Sequence, residues 1–315
     1  MSGYINVDDT GARHKGKTGY CTHIGNEQFA WFESTDSKSR INFLKLLRAG
    51  RTDYWINTDA VVYMQANKLP RTAMDSVIAS HGTMFAGDQQ WHDFLSTHGI
   101  VSPRHVKIAT EGALLGSIVE HGISKNLVIV SDDAGQFNIL LHALCWIHAN
   151  RTIDKITPIT DDAKKDLDDI KERIWDLYQG LKAYRQNPTA SAKEGLEAQF
   201  DDIFTTTTHS QMLNLALGRI YENKSELLLV LDRPDIPLHN NTAESAIREY
   251  VKRRKISGST RSETGRRCRD TFTSLKKTCR KLGVSFWQYL HDRLHNTGQI
   301  VRLSDLIRQQ ASNPG

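Results

Sequence analysis

Apolar and polar positions alternate along this chain with two periods. Short apolar runs at residues 4–8, 20–24, 29–33 and 127–130 have the length and composition of strands. Gly25-Asn26 is a turn signal between the second and third runs, and the polar stretch 11–19 reads as a hairpin loop. The start is therefore three antiparallel strands. The run at 127–130 is apolar throughout, as expected of a strand covered on both faces. Helical spacing governs most of the rest. Residues 39–48 place Ile41, Leu44 and Leu47 on one face, residues 104–121 form a helix ended by Gly122, and residues 139–151 read as helical. The clearest stripe is Leu167, Ile170, Ile174, Leu177, Leu181 and Tyr184, within 160–185 and ended by Asn187-Pro188. Further helices are predicted at 192–204 and 209–222. Residues 51–102 carry Tyr54, Trp55 and the run Val61 to Met64, but no single period, and are read as an insert.

These elements predict an α/β fold, with the strand at 127–130 beside the first. Residues 1–151 form the first part of the core and include the insert. Residues 152–236 are an all-helical insertion, led back to the core by the stiff Arg233-Pro234-Asp235-Ile236-Pro237. Residues 237–315 complete the core with basic helices.

Charge sharpens this picture. The net charge is +5 over 315 residues, but residues 241–300 hold 14 Lys/Arg against 5 Asp/Glu, so the remainder is mildly acidic. A basic block on an acidic body points to a polyanion, with a solvated helix face as the competing reading. Cys21, Cys145, Cys268 and Cys279 form no C-x-x-C pair, which fits a reducing compartment. No apolar run approaches the roughly 20 residues of a membrane span. Residues 1–9 lack the regions of a signal peptide. A cytoplasmic protein is expected, and any upstream DNA-addressing domain lies outside this sequence.

The candidate chemistry rests on carboxylates. Asp8-Asp9 and Asp132-Asp133 each close an apolar strand, and Glu244 opens a helix. Such acids can converge on divalent ions that cut and join phosphodiesters. Taken singly, both Asp pairs are better read as turn or cap residues. Asn241-Thr242-Ala243-Glu244 has the spacing of a capping box, with Asn241 as N-cap. Cys145 and His148 could begin a zinc site completed by Cys268 and Cys279. The latter two lie on a helical stripe with Phe272, Leu275 and Leu282, which favours core packing. Trp175 and Tyr178 flank the long stripe. Packing is favoured for them over stacking on an unpaired base.

Four segments occur in a telling order. They are the Asp-x-Thr-Gly start, the Ser131-Asp132 strand end, Cys145 to Arg151, and Asn240-Asn241-Thr242-Ala243-Glu244 with its sequel to Arg248. Together they resemble the catalytic domain of insertion-sequence-66 family transposases, of the DDE group. Arg254-Lys255, Gly258-Ser259, Gly265 and Gln288-Tyr289-Leu290 fit the same pattern. The resemblance covers residues 4–33 and 127–294. It implies a ribonuclease-H-like mixed sheet, with Asp8, Asp132 and Glu244 as catalytic acids holding two Mg²⁺, or Mn²⁺ in their place. Asp9 and Asp133 stay open as alternatives. It further implies cleavage at element ends, strand transfer into target DNA, and a homo-oligomer assembled on DNA in the bacterial nucleoid. A nuclease that cuts without joining, and a non-catalytic DNA-binding relative, are the alternative readings. Cys145-x-x-His148 resembles a motif that follows the second Asp in transposases with helical insertions. The spacing from Asp8 to Asp132 is longer than the family pattern, and the excess lies in 51–102. Lys252, Arg253, Arg254, Lys255, Arg261, Arg267, Lys276 and Lys277 are the residues expected to touch phosphates.

Overall fold

A computed structural model describes residues 3–312. The chain opens with strands β1 (Tyr4–Gly11), β2 (Tyr20–Gly25) and β3 (Ala30–Thr35), then helix α1 (Arg40–Leu47). The predicted insert follows as β4 (Tyr54–Ile56), α2 (Thr58–Ala66), α3 (Arg71–Ala79), β5 (Thr83–Phe85) and α4 (Asp88–Thr97). Next come α5 (Pro103–Glu120), β6 (Val128–Ser131), β7 (Leu141–Leu144) and α6 (Trp146–Asp154). A helical block contains α7 (Asp161–Gln186), α8 (Ala190–Phe204), α9 (Gln211–Glu222) and α10 (Lys224–Leu227). The chain closes with α11 (Asn241–Ser257), α12 (Glu263–Lys281), α13 (Phe286–His295) and α14 (Leu303–Ser312).

The main sheet has the order β3-β2-β1-β6-β7. β1, β2 and β3 pair antiparallel, while β6 runs parallel to both β1 and β7. Strand parity sorts the side chains. Ile5, Val7, Ile24 and Ile129 join the core beneath α1, α5 and residues 51–102. On the opposite face Val128 and Val130 pack against the helical block, and Cys21, Ala30 and Phe32 meet Ala246, Ile247 and Tyr250 of α11.

Two expectations change, and the insert gains its detail. The run at 139–151 is not one helix. Residues 141–144 extend the sheet as β7, where their backbone pairs with β6, and α6 starts only at Trp146. Periodicity cannot separate a short apolar strand from a buried helical turn, so pairing decided it. Residues 51–102 fold as a two-stranded ladder with three helices, seated on α5. Gly112 and Gly116 permit that seat. A Cβ at Gly112 would lie 2.7 Å from the Met64 side chain, and one at Gly116 only 2.4 Å from the Trp55 carbonyl oxygen. The buried Glu111 carboxylate also accepts from Tyr63 Oη at 2.7 Å, tying α5 to α2.

The other change concerns α12. Its expected apolar stripe is only partly used: Cys279 is buried with Tyr289 and Leu303, whereas Cys268 is exposed. A polar row docks the helix instead. Asp270, Ser274 and Thr278 recur every fourth residue and accept the backbone N–H groups of Ser34, Phe32 and Ala30 at 2.8, 2.9 and 3.1 Å. They satisfy the open edge of β3, which would otherwise offer unpaired donors. This fixes a basic helix against the sheet.

Candidate active site

β1 continues to Gly11, so Asp8 lies within the strand rather than at its end. Parity separates the first acid pair. Asp9 follows Val7 toward the α1 side, where it pairs with Lys38 and accepts from Gln136 Nε2 at 2.8 Å. Asp8 follows Asn6 toward α11. Asp132 comes one residue after β6, and its Oδ1 accepts the Ala134 N–H at 3.2 Å, a turn role beside any other. Asp133 is exposed as a residue, though partial shielding of its carboxyl, and then the charge of Glu226, raise its pKa.

α11 reaches this region through Asn240, which is 1 % exposed. Its Nδ2 donates to the Val7 carbonyl at 2.7 Å, its Oδ1 accepts from Asn6 Nδ2 at 3.0 Å, and its N–H donates to Cys145 Sγ at 3.2 Å. One residue thus ties the start of α11 to β1 through its side chain and to the start of α6 through its backbone N–H. The expected capping box is absent: Asn240, not Asn241, is the N-cap, and no side chain caps that end. Glu244 turns instead toward α6. Its Oε2 accepts from Arg151 Nη2 at 3.4 Å, and Oε1 lies 3.7 Å from His148 Nδ1. Tertiary partners outcompeted a local cap worth about 1 kcal/mol.

Asp132 and Glu244 both bear on the charge of Asp8. The Asp8 carboxyl is pushed up to about 7, by burial first, with the charges of Asp132, Asp9 and Glu244 adding to it. Lys38 answers part of this field: burial alone would lower its ammonium, but its bond to Asp9 and the charges of Asp9, Asp132 and Asp8 raise it on balance. A buried hydrogen-bonded row supports the loop after β6. Ser131 Oγ donates to the Asp132 carbonyl at 2.6 Å and lies 2.7 Å from His142 Nε2, while His142 Nδ1 is 2.8 Å from Glu226 Oε1 in α10. The helical block therefore braces the strand end that carries Asp132.

Lys38, His142 and Glu226 carried no recognisable spacing, whereas Arg151 closes the Cys145-to-Arg151 segment. Asn240 did have a signal, as the first residue of the Asn-Asn-x-Ala-Glu segment. The zinc cluster considered from sequence does not form. Cys145 and His148 group with Glu244, away from Cys268 and Cys279. Trp175 is 59 % exposed and stacks on Tyr178, with centroids 5.9 Å apart, at a shallow cleft beside Ile147 and Asn150.

The basic residues divide. Lys276 and Lys277 pair with Glu249, at 3.4 and 2.6 Å, and Arg253 lies 3.9 Å from the same carboxylate. Arg254 reaches back to Thr10 Oγ1 at 3.3 Å, close along β1 to Asp8. Lys252, Lys255, Arg261 and Arg267 are exposed. No helix among the described residues is long and apolar enough to cross a membrane.

Residues 117–267 match the family described as Transposase IS66 family, a span holding Asp132, Cys145, His148 and Glu244 but not Asp8. No solved structure matches the chain. A protein of Sinorhizobium fredii (strain NBRC 101917 / NGR234), described as "Uncharacterized protein y4jO", is 40% identical over 311 residues, which is 98% of this chain and 97% of that one. With the family match running from within α5 into α12, and this likeness extending over nearly the whole length, the chain belongs to the IS66 family of transposases.

Proposed function

We propose that this protein is a DDE-type transposase with a ribonuclease-H-like core, in which Asp8, Asp132 and Glu244 hold two Mg²⁺, or Mn²⁺. The observation that carries the reading is the electrostatic convergence of three carboxylates from β1, the end of β6 and α11. The mixed sheet order, with three antiparallel strands and two parallel ones, supports it. The donor set fits hard divalent cations, which prefer carboxylate oxygen and leave positions for phosphate. The Asp8 carboxyl is raised by burial first and then by the charges of Asp132, Asp9 and Glu244, and a divalent cation would offset both effects. When bound, the ions would supply Lewis acidity for hydrolysis at an element end and for in-line attack of the freed 3′-OH on target DNA.

The chain's own groups do the positioning. Asn240 holds Glu244 in register with β1, and Ser131 with His142 braces the backbone of Asp132. Arg254 beside β1, and the exposed Lys252, Lys255, Arg261 and Arg267, grip DNA phosphates without reading sequence. Joining two ends calls for a homo-oligomer on DNA. Asp8→Ala, Asp132→Ala and Glu244→Ala should each abolish Mg²⁺-dependent nicking and joining of end-bearing DNA while binding persists. Full activity in all three would sink the assignment. Pre-cut ends that are never joined would reduce the reading to a nuclease.

A further inference from the structure

The start of α6 brings together three donors that the magnesium chemistry does not need as a set. Cys145 is the N-cap of α6 and His148 lies three residues on, in the first turn. Cys145 Sγ, a His148 ring nitrogen and a Glu244 carboxylate oxygen all lie within 4.8 Å of one another. Cys145 is 1 % exposed. His148 Nδ1 and Glu244 Oε1 are each shielded from solvent and have no hydrogen-bond partner. At 3.7 Å they face each other across a gap too long for a hydrogen bond. Buried polar atoms left unpaired are costly, so this arrangement calls for an occupant.

We propose that Cys145, His148 and Glu244 form a transition-metal site, taking Zn²⁺ or Co²⁺ in preference to Mg²⁺, and that filling it withdraws Glu244 from the carboxylate trio. The second clause rests on the transposase reading; the first does not. Zinc bonds of about 2.0–2.3 Å place neighbouring tetrahedral ligand atoms roughly 3.3–3.6 Å apart. The His148–Glu244 separation is already close to that, and the sulfur, within 4.8 Å of both, needs to approach by no more than about 1.5 Å. Thiolate and imidazole select softer ions, which Mg²⁺ is not. The Asn240 N–H bonded to Cys145 Sγ is the kind of outer hydrogen bond that supports a bound thiolate. Three protein ligands leave one position open.

Arg151 already bridges two of these side chains from their other atoms. Its guanidinium donates to His148 Nε2 at 3.0 Å and to Glu244 Oε2 at 3.4 Å. Because Nε2 accepts that bond, the ring proton sits on Nδ1. Metal binding at Nδ1 requires the proton to move to Nε2, the Cys145 thiol proton to leave, and Arg151 to let go. Arginine and metal therefore compete for the same pair of side chains.

Titrating the full-length protein with Co²⁺ alone tests the site. We expect a thiolate-to-cobalt absorption band saturating at one equivalent. The band is lost in Cys145→Ser and in His148→Ala and is kept in Cys268→Ser. Arg151→Ala tightens Co²⁺ binding by about tenfold, the worth of one charge-assisted hydrogen bond. No band in the parent protein, or a band that survives both Cys145→Ser and His148→Ala, overturns the proposal. If Cys145→Ser loses its native circular dichroism, the half-exposed His148→Ala decides. The spectrum needs no turnover, so a chain inactive on DNA still reports the site. For the second clause, Zn²⁺ should suppress Mg²⁺-dependent nicking, and nicking indifferent to Zn²⁺ in a protein that shows the cobalt band rules the withdrawal out.

Discussion

Replacing Asp8 by Asn tests the electrostatics of the carboxylate cluster without altering its shape. The Asp8 carboxyl is raised from 3.8 to about 7 by burial and by neighbouring acids. Between those two values the folded protein binds a proton that the unfolded chain does not, so stability falls as pH rises through that window. Each pH unit there costs about 1.36 kcal/mol, a ceiling of about 4 kcal/mol that partial solvation reduces to about 2 kcal/mol. Asn cannot ionise and still accepts the Asp9 N–H that Asp8 Oδ1 accepts at 2.7 Å. The variant should therefore be more stable than the parent at pH 8 and about equal at pH 4. A melting entropy of about 2.1 cal/mol/K per residue converts 2 kcal/mol into roughly 3 °C for a chain of 315 residues. The assay is thermal unfolding of both proteins in EDTA across pH 4–8. His23 makes the difference between the two proteins the proper readout. It is fully buried, and burial pushes its imidazole down to about 3. Below about pH 6.5 the unfolded chain takes up that proton and the folded one does not, which destabilises both proteins equally toward acid. Added Mg²⁺ should raise the parent's melting temperature at pH 8 more than the variant's. A variant equal to the parent, or less stable, at pH 8 would refute the account of Asp8.

Further outcomes are expected. Asn240→Ala leaves Asn6 Nδ2 and the Val7 carbonyl unpaired in a buried position, a loss of about 2–4 kcal/mol in urea unfolding, with nicking reduced because Glu244 loses its register. A loss below about 0.5 kcal/mol with full nicking would show that Asn240 is not the tie. Asp270→Ala removes acceptors for the Ser34 N–H, Ser34 Oγ and Tyr250 Oη, so hydrogen exchange at the β3 edge should rise by about tenfold or more. Unchanged exchange at Ser34 would argue against edge capping. Glu226→Gln should slow metal-dependent nicking while leaving DNA affinity intact, since it braces Asp132 through His142 and Ser131; equal nicking rates would dismiss that row. Replacing Lys255, Arg261 and Arg267 together by Ala should flatten the dependence of log affinity on log salt by about 0.9 for each phosphate no longer neutralised. An unaltered slope would return these side chains to a merely solvated face.

The sequence by itself determined the elements whose period is long or whose apolar run is unbroken. The stripe from Leu167 to Tyr184 became the buried face of α7, and residues 128–131 became β6 beside β1, because burial on one stripe or on two faces leaves a pattern within a short window. It also carried the family, since Asn240 to Glu244 and Cys145 to Arg151 are contiguous segments. Wherever the outcome depended on a partner distant in sequence, only the tertiary structure decided. β7 is a strand because β6 offers it an edge. α12 docks through Asp270, Ser274 and Thr278 because β3 has donors to satisfy. Glu244 is not a helix cap because Arg151 and His148, more than ninety residues earlier, draw its carboxylate away. Pairing across such distances leaves no local period in the sequence. It appears only when β1, the end of β6, α6 and α11 are brought to one place.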